Sequence, residues 1–425
     1  PIYKEKEDHL FAIINGRMQV DGRLLVGGRQ EVPWWNGKLR TSFLSKAKPH
    51  VTRFVPGREG LGLTDRIDST VNYMVRNQIL VLDHNYGLWY ERRRDDHERV
   101  RRRDGDVWGP FYEQPFARSG KGTAWEGLSK YDLNRPNAWY WNRLKQFAEK
   151  GAEKGLLLFH ENYFQHILEA GAHWVDCPWR SANNINQTDM PEPVPFAGDK
   201  RIFVADMFYD ISHPVRREFH RKYIRQCLDN FADDANVVQL ISAEFTGPLH
   251  FVQFWLDVIG EWEKETGKKA TVALSATKDV QDAILNDTQR AKLVDIIDIR
   301  YWHYKVDGLY APEGGKNLAP RQHARKMKVG KVTFDEAYRA VSEYRKKFPE
   351  KAVTYYAQNY PDMAWAVFMA SGSCPVVPVA DESFLTDAAA MDMEDTGTNK
   401  YQKLVKSGIG SIIYSKSGTE IPVQL

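Results

Sequence analysis

Glu244 directly follows a seven-residue, largely apolar run, Val237–Ala243 (VVQLISA), and precedes Phe245-Thr246-Gly247-Pro248. A carboxyl at the end of a buried strand, between apolar walls, has its charged form disfavoured, so its pKa is expected to rise, which suits a general acid. The competing account is a glutamate that caps a helix or joins an ion pair in a loop. Other residues placed just after apolar runs are Glu31, Asp83, His84, Asn85, His160, Asn162, Tyr163, Ser275, Lys278, Arg300, His303 and Gln358. Aromatic rings lie beside hydrogen-bonding side chains at Trp34-Trp35-Asn36, Trp139-Tyr140-Trp141-Asn142 and Tyr301-Trp302-His303-Tyr304, an arrangement that suits stacking against sugar rings. Core packing competes for most of these rings. A loop at 91–103 (ERRRDDHERVRRR) holds seven Arg, whose forked guanidinium pairs with carboxylate or sulfate. The acids within and beside it allow it equally to be a self-paired, solvated stretch.

These positions share a face only if the runs before them are parallel strands. The chain alternates short apolar runs with amphipathic helical stretches, the pattern of βα units around a parallel sheet. Two turn dipeptides, Asn15-Gly16 and Asp21-Gly22, read as a hairpin lead-in over 1–23. Eight strands are then expected, at Leu24–Gly28, Gln78–Asp83, Leu156–Phe159, Val237–Ala243, Thr271–Ser275, Val294–Ile299, Ala352–Tyr356 and Pro375–Val379. Helices are expected near 139–154, 214–232, 251–264, 279–292, 334–347 and 362–370. The reading is α/β: a (β/α)₈ TIM barrel over 24–405, with long insertions after strands two and three. A small accessory β-sheet would join the N-terminal hairpin to a C-terminal one over 406–425. In such a barrel the residues following each strand converge on one face, where active sites are built. An open doubly wound sheet is the rival, against which stands the lack of a Gly-rich phosphate loop after the first strand.

Composition narrows the functions. With 42% hydrophobic and 27% charged residues among 425, the chain can bury a substantial core. Its 59 basic and 56 acidic residues give +3, too small for a global nucleic-acid footprint. No run approaches the ~18 apolar residues of a membrane span. Residues 1–20 lack the order of a signal peptide, and a secreted protein without its leader would look the same. Cys177, Cys227 and Cys374 are too widely spaced for a zinc or CxxC motif, the histidines are scattered, and no Gly-x-Ser-x-Gly elbow occurs. No metal, no cofactor, no nucleic acid and no membrane partner is expected, and chemistry by carboxylates remains.

The layout resembles the clan of retaining glycoside hydrolases built on (β/α)₈ barrels, such as its cellulase-like and apiosidase-like families. The matching features are Val20-Asp21-Gly22 before Leu24-Leu25-Val26 and Gly28, His160 after strand three, the stretch Pro214, Phe219, Tyr223, Phe231 before Val237-Val238-Gln239-Leu240, and Glu244 after strand four. The resemblance implies that Glu244 is the acid/base and that a strand-seven glutamate is the nucleophile. Two departures stand out. The clan has Asn before its acid/base where this chain has Ala243, and strand seven ends in Tyr356-Ala357-Gln358, whose carboxamide cannot attack an anomeric carbon. Gln358 therefore marks an altered mechanism, an inactivated nucleophile position or a slip in the match. Glu31, Asp83, Glu161, Asp206 and Glu382 are the other carboxylates that could face Glu244. The expected activity is glycoside hydrolysis of an acidic or decorated polysaccharide or oligosaccharide. Trp34, Trp35, Asp83, His84, His160, Asn162, Tyr163, Arg300, Trp302 and His303 would hold the sugar. A polysaccharide lyase acting on a uronate and a non-catalytic glycan-binding barrel are the alternatives. The implied location is periplasmic or extracellular.

Overall fold

The structure is a computed structural model, and it describes residues 9–30, 67–84, 114–124, 129–165, 174, 177–190, 205–243, 245–315, 332–355, 361–378 and 381–415. Seven strands form one parallel sheet: β1 (Gly28–Gln30), β2 (Ile79–His84), β3 (Leu157–Phe164), β4 (Val237–Ala243), β5 (Thr271–Leu274), β6 (Ile296–Ile299) and β7 (Ala352–Tyr355). Their order in space is the order in sequence, β1 to β7, as successive βα units require. The connections include the helices Ala138–Ala152, Pro214–Asn230, Leu249–Thr266, Lys278–Asn286 and Phe334–Lys347. Their ends follow local chemistry. Pro214 opens its helix where a missing N–H costs nothing, and Thr333 with Glu336 completes a capping box. Gly267, at φ 70°, ends Leu249–Thr266 in the left-handed conformation that glycine adopts most freely.

The sheet is strongly curled. Laid flat, β1 and β6 would lie five strand spacings apart, roughly 24 Å at about 4.8 Å per step. Yet Arg29 of β1 donates to both carboxylate oxygens of Asp298 on β6, at 2.7 and 2.9 Å. The concave side is filled from below by Met18, Val20, Leu25, Val81, Leu157, Phe159, Val238, Leu240, Ala273, Ile296 and Ala352. A larger apolar layer joins the convex side to the helices, with Trp255, Trp262, Leu144, Phe147 and Ile259 fully buried or nearly so.

Two expectations are corrected. No strand forms over the described part of the eighth segment, because Pro375 and Pro378 have no N–H to give a ladder. The segment instead touches both edges of the sheet, through Gly27 N–H to Pro375 C=O (3.0 Å) and Ser373 N–H to Val353 C=O (2.7 Å). Gly27, at φ 149°, approaches β2 so closely that a Cβ there would lie 2.8 Å from that of Leu80. The terminal hairpins also do not share a sheet. Phe11–Ile14, Arg17–Val20 and Arg23–Leu24 form one, turning at Asn15-Gly16 and Asp21-Gly22, both with positive φ throughout. Asp392–Glu394, Tyr401–Lys406 and Gly410–Ser415 form another. Among the described residues, no helix is long and apolar enough to cross a membrane.

Burial pushes Asp295, just before β6, up to about 6, although it accepts the Val272 N–H at 2.8 Å. A folded-state pKa above the unfolded value contributes stability that is present at low pH and lost as pH rises from about 4 through about 6. Asp295→Asn should therefore gain thermal stability relative to the parent across that window and hold a constant advantage above it. Parallel melting curves at every pH would show that Asp295 is solvated.

Candidate functional site

Strand alternation decides which of the expected residues can meet. Cross-strand partners point to the same side, and Asp83 pairs with Phe159, Phe159 with Val238, and Glu161 with Leu240. Phe159, Val238 and Leu240 belong to the concave cluster, so Asp83 and Glu161 lie on the concave side at the carboxyl ends of their strands. Asp298 and Thr354, register partners on β6 and β7, lie there too, two residues beyond Ile296 and Ala352.

A charged layer results, resting on the apolar plug. The Arg29 guanidinium lies 4.2 Å above the Phe159 ring and binds Asp298 with both terminal nitrogens and Asp83 through Nε at 3.3 Å. Arg300, immediately after β6, donates to Glu161 (3.1 Å) and to Asp83, and its Nε lies 2.9 Å from Asp298. The Thr354 hydroxyl donates to Asp298 at 2.8 Å. All five charged groups are buried, with Asp298 fully so. Charges taken out of water persist only when paired this thoroughly. Burial raises the Asp83 pKa, Arg29 opposes the shift and the Asp298 charge reinforces it.

Asp83 and Arg300 are the two expected binding residues brought together here. Glu161 joins them from the expected carboxylates, while Asp206 is exposed and Glu382 is an exposed partner of Arg23. His84, His160 and Asn162 alternate with the concave residues and face the helices. His160 packs against Trp141 and Phe231 with Nδ1 3.0 Å from Gln239 Oε1, and burial holds it down to about 4, neutral. His84 stacks on it at 5.5 Å. Asn162 donates to Gln239 at 2.8 Å and accepts from Trp255 Nε1 at 2.8 Å. His220 Nε2 meets the Phe208 carbonyl at 2.7 Å and must donate to it, so Nδ1 accepts the Tyr163 hydroxyl at 2.9 Å. Trp302 is buried, donating to Gln281 at 2.7 Å beneath the Lys278 ammonium. His303 is buried in the hairpin His303–Lys305 and Gly308–Tyr310, against Tyr310. None of these six joins the charged layer.

Trp34, Trp35, Glu31, Glu244, Gln358 and the loop 91–103 lie outside the described residues. The chain on both sides of position 244 is pinned, however. Gln165, just past β3, accepts the Thr246 N–H (2.8 Å) and the Tyr209 hydroxyl (3.1 Å), donates to Thr246 Oγ1 (2.8 Å), and through its own N–H bonds Ser242 Oγ (2.8 Å). Arg29, Asp298, Thr354 and Gln165 were not among the expected site residues. A readable signal existed for Asp298, a lone charge in the otherwise apolar strand Ile296-Ile297-Asp298-Ile299, which demands a buried partner. Among the described residues, no group of three His, Cys, Asp or Glu side chains is arranged to hold a metal ion.

Fold and site together define an α/β protein whose curled parallel sheet carries a buried arginine–carboxylate layer at the carboxyl ends of its strands. The chain belongs to the family described as a domain of unknown function (DUF6298), which matches residues 2–391. No curated protein matches the sequence. Solved structures similar to it include a glycoside hydrolase family 5 protein from Bacteroides vulgatus, at 11% identity and a TM-score of 0.40; the match covers 88% of this chain and 63% of that one. A second, described as a glycoside hydrolase, has 10% identity and a TM-score of 0.40, covering 95% and 84%. A family 5 mannosidase from Rhizomucor miehei, solved with mannosyl-fructose, has 11% identity and a TM-score of 0.37, covering 90% and 96%.

Proposed function

We propose that the protein is a glycoside hydrolase acting on an acidic or decorated glycan, with Glu244 as the proton donor. The observation that carries this reading is the placement of the sequence around Glu244. It directly follows β4, the strand next to β3, at the end of the sheet where Asp83, Glu161, Asp298 and Arg300 gather, and Gln165 ties down both its flanks. A general acid needs a fixed position and surroundings poor in water, and the described residues nearest it in sequence, Ser242 and Thr246, are buried and hydrogen-bonded to Gln165. Arg29 and Arg300 are already bound to carboxylates, so they offer little to a uronate, which does not favour the lyase chemistry. The arginines for an anionic sugar would come from the loop 91–103. Product chromatography on a panel of plant and algal polysaccharides tests the reading, with Glu244→Gln as the control. Hydrolytic products that Glu244→Gln abolishes support it, and unsaturated products, or no products from any glycan with either the parent or Gln358→Glu, overturn it.

Gln358, three residues past β7, holds the place of a retaining enzyme's nucleophile in this reading. A carboxamide has nearly the shape of a carboxylate without its charge. Gln358→Glu should raise the hydrolytic rate by orders of magnitude, with retention of anomeric configuration read by NMR. A parent that turns over well and is slowed by the added Glu would remove position 358 from the chemistry.

A further inference from the structure

At the end of the sheet opposite the charged layer, another guanidinium is buried with far fewer partners. Arg17 lies on the strand Arg17–Val20, whose Met18 and Val20 fill the concave side from below, and it is 1% exposed. Its one hydrogen bond among the described residues runs from Nη1 to the Met391 carbonyl at a long 3.4 Å. Nε and Nη2 are buried and meet no acceptor there. Those two N–H groups form one edge of the guanidinium plane. Elsewhere in this chain the same edge of Arg290 takes both oxygens of Asp257, at 2.8 and 2.9 Å.

Arg345 brings a second positive charge to the same turn. Its Nη2 donates to the Asn15 carbonyl at 2.9 Å, and a Cβ at Gly16, the residue before Arg17, would overlap its guanidinium. Its Nη1 donates to the Pro349 and Lys351 carbonyls, at 2.8 and 2.6 Å, just before β7. All three acceptors are neutral, and Arg345 Nε is buried with no partner among the described residues. Burial and the Arg345 charge pull Arg17 down to about 9, which leaves it cationic at neutral pH. Asp392 pulls both arginines the other way and Glu350 pulls Arg345, but these carboxyl groups are exposed and form no ion pair with either guanidinium among the described residues. A buried charge is costly unless it is paired, and a site of donors alone, carrying positive charge, suits an anion. Asn15 and Asp392, which adjoin Gly16 and Met391, are exposed, so an ion from solvent has a short way in.

We propose that Arg17 anchors an anion site beneath the sheet, taking two oxygens of a small oxyanion, a phosphate or a carboxylate, on its Nε–Nη2 edge, with Arg345 adding positive field. The site is independent of the chemistry at Glu244, and its occupant stabilises the fold. Thermal unfolding of the full chain in a buffer free of oxyanions, with phosphate or acetate added at millimolar concentration, tests it against sodium chloride of equal ionic strength. An ion that binds only the folded chain raises the melting temperature with its concentration. The parent should show that rise with at least one of the two probes, and the probe that acts names the oxyanion. Arg17→Met should lose the rise, and without oxyanion it should melt no lower than the parent, because it removes a buried unpaired charge. Arg17→Lys keeps the charge without the two parallel N–H groups, should lose most of the rise, and reads the result if the methionine variant does not fold. General salting-out stabilisation would act alike on parent and variants. No rise in the parent with either probe, or an equal rise in the folded variants, overturns the proposal.

Discussion

Glu244→Gln is expected to lower turnover by roughly 10²–10⁴-fold, the usual contribution of a positioned proton donor. That range corresponds to about 2.7–5.4 kcal/mol of transition-state stabilisation. Glutamine keeps the size and polarity of the side chain, so substrate affinity should hold while kcat falls. A further mark separates proton donation from simple contact. The alkaline limb of the pH–rate profile, which reports loss of the acid's proton, should disappear in the variant. Leaving groups that depart without protonation should be slowed least. Activity within a factor of a few of the parent, with the same pH profile, would remove Glu244 from the mechanism.

Arg29→Met should destabilise the protein by about 3–5 kcal/mol, because it strips the buried Asp298 of a bidentate partner and Asp83 of one donor. Surface ion pairs are worth about 0–1 kcal/mol, so the size of the loss tells a buried charge from a solvated one. Adding Asp298→Asn to the same chain should recover part of the loss, since the uncompensated charge then disappears. Denaturant unfolding of the parent, both single variants and the double variant gives all four numbers. A loss below about 1 kcal/mol for Arg29→Met, or no recovery in the double variant, would mean that the layer is open to water.

Strand positions were legible because buried parallel strands read as apolar runs. VVQLISA became β4 to the residue, and Phe334–Lys347 was found as written. The eighth strand was misjudged because Pro375-Val376-Val377-Pro378 has a strand's apolar character without its hydrogen-bond donors. The site was legible only by half. Listing residues at strand ends captured Asp83 and Arg300, while Glu161 stood only among the carboxylates that could face Glu244, and the strand-end list ignores which side each residue faces. His84 beside Asp83, and His160 and Asn162 flanking Glu161, differ from them by one residue and so lie on the other side of the sheet. Arg29 was hidden for another reason. Its strand is three residues long, with a register shift between Gly28 and Arg29, so the expected strand stopped short of it.

The charged layer also has a consequence for the order in which the protein can be made. Arg29 finds Asp298 across 269 positions of chain, and Arg300 reaches back 217 positions to Asp83 and 139 to Glu161. A ribosome releasing about 5–20 residues per second exposes Arg29, Asp83 and Glu161 many seconds before Asp298 and Arg300 emerge. Until residue 300 leaves the exit tunnel, Arg29 and Asp83 have each other but lack Asp298 and Arg300, and Glu161 lacks Arg300. The first four strands therefore settle into their final interior only after residue 300 has emerged, and the parallel sheet completes late, as contacts of such long sequence separation require.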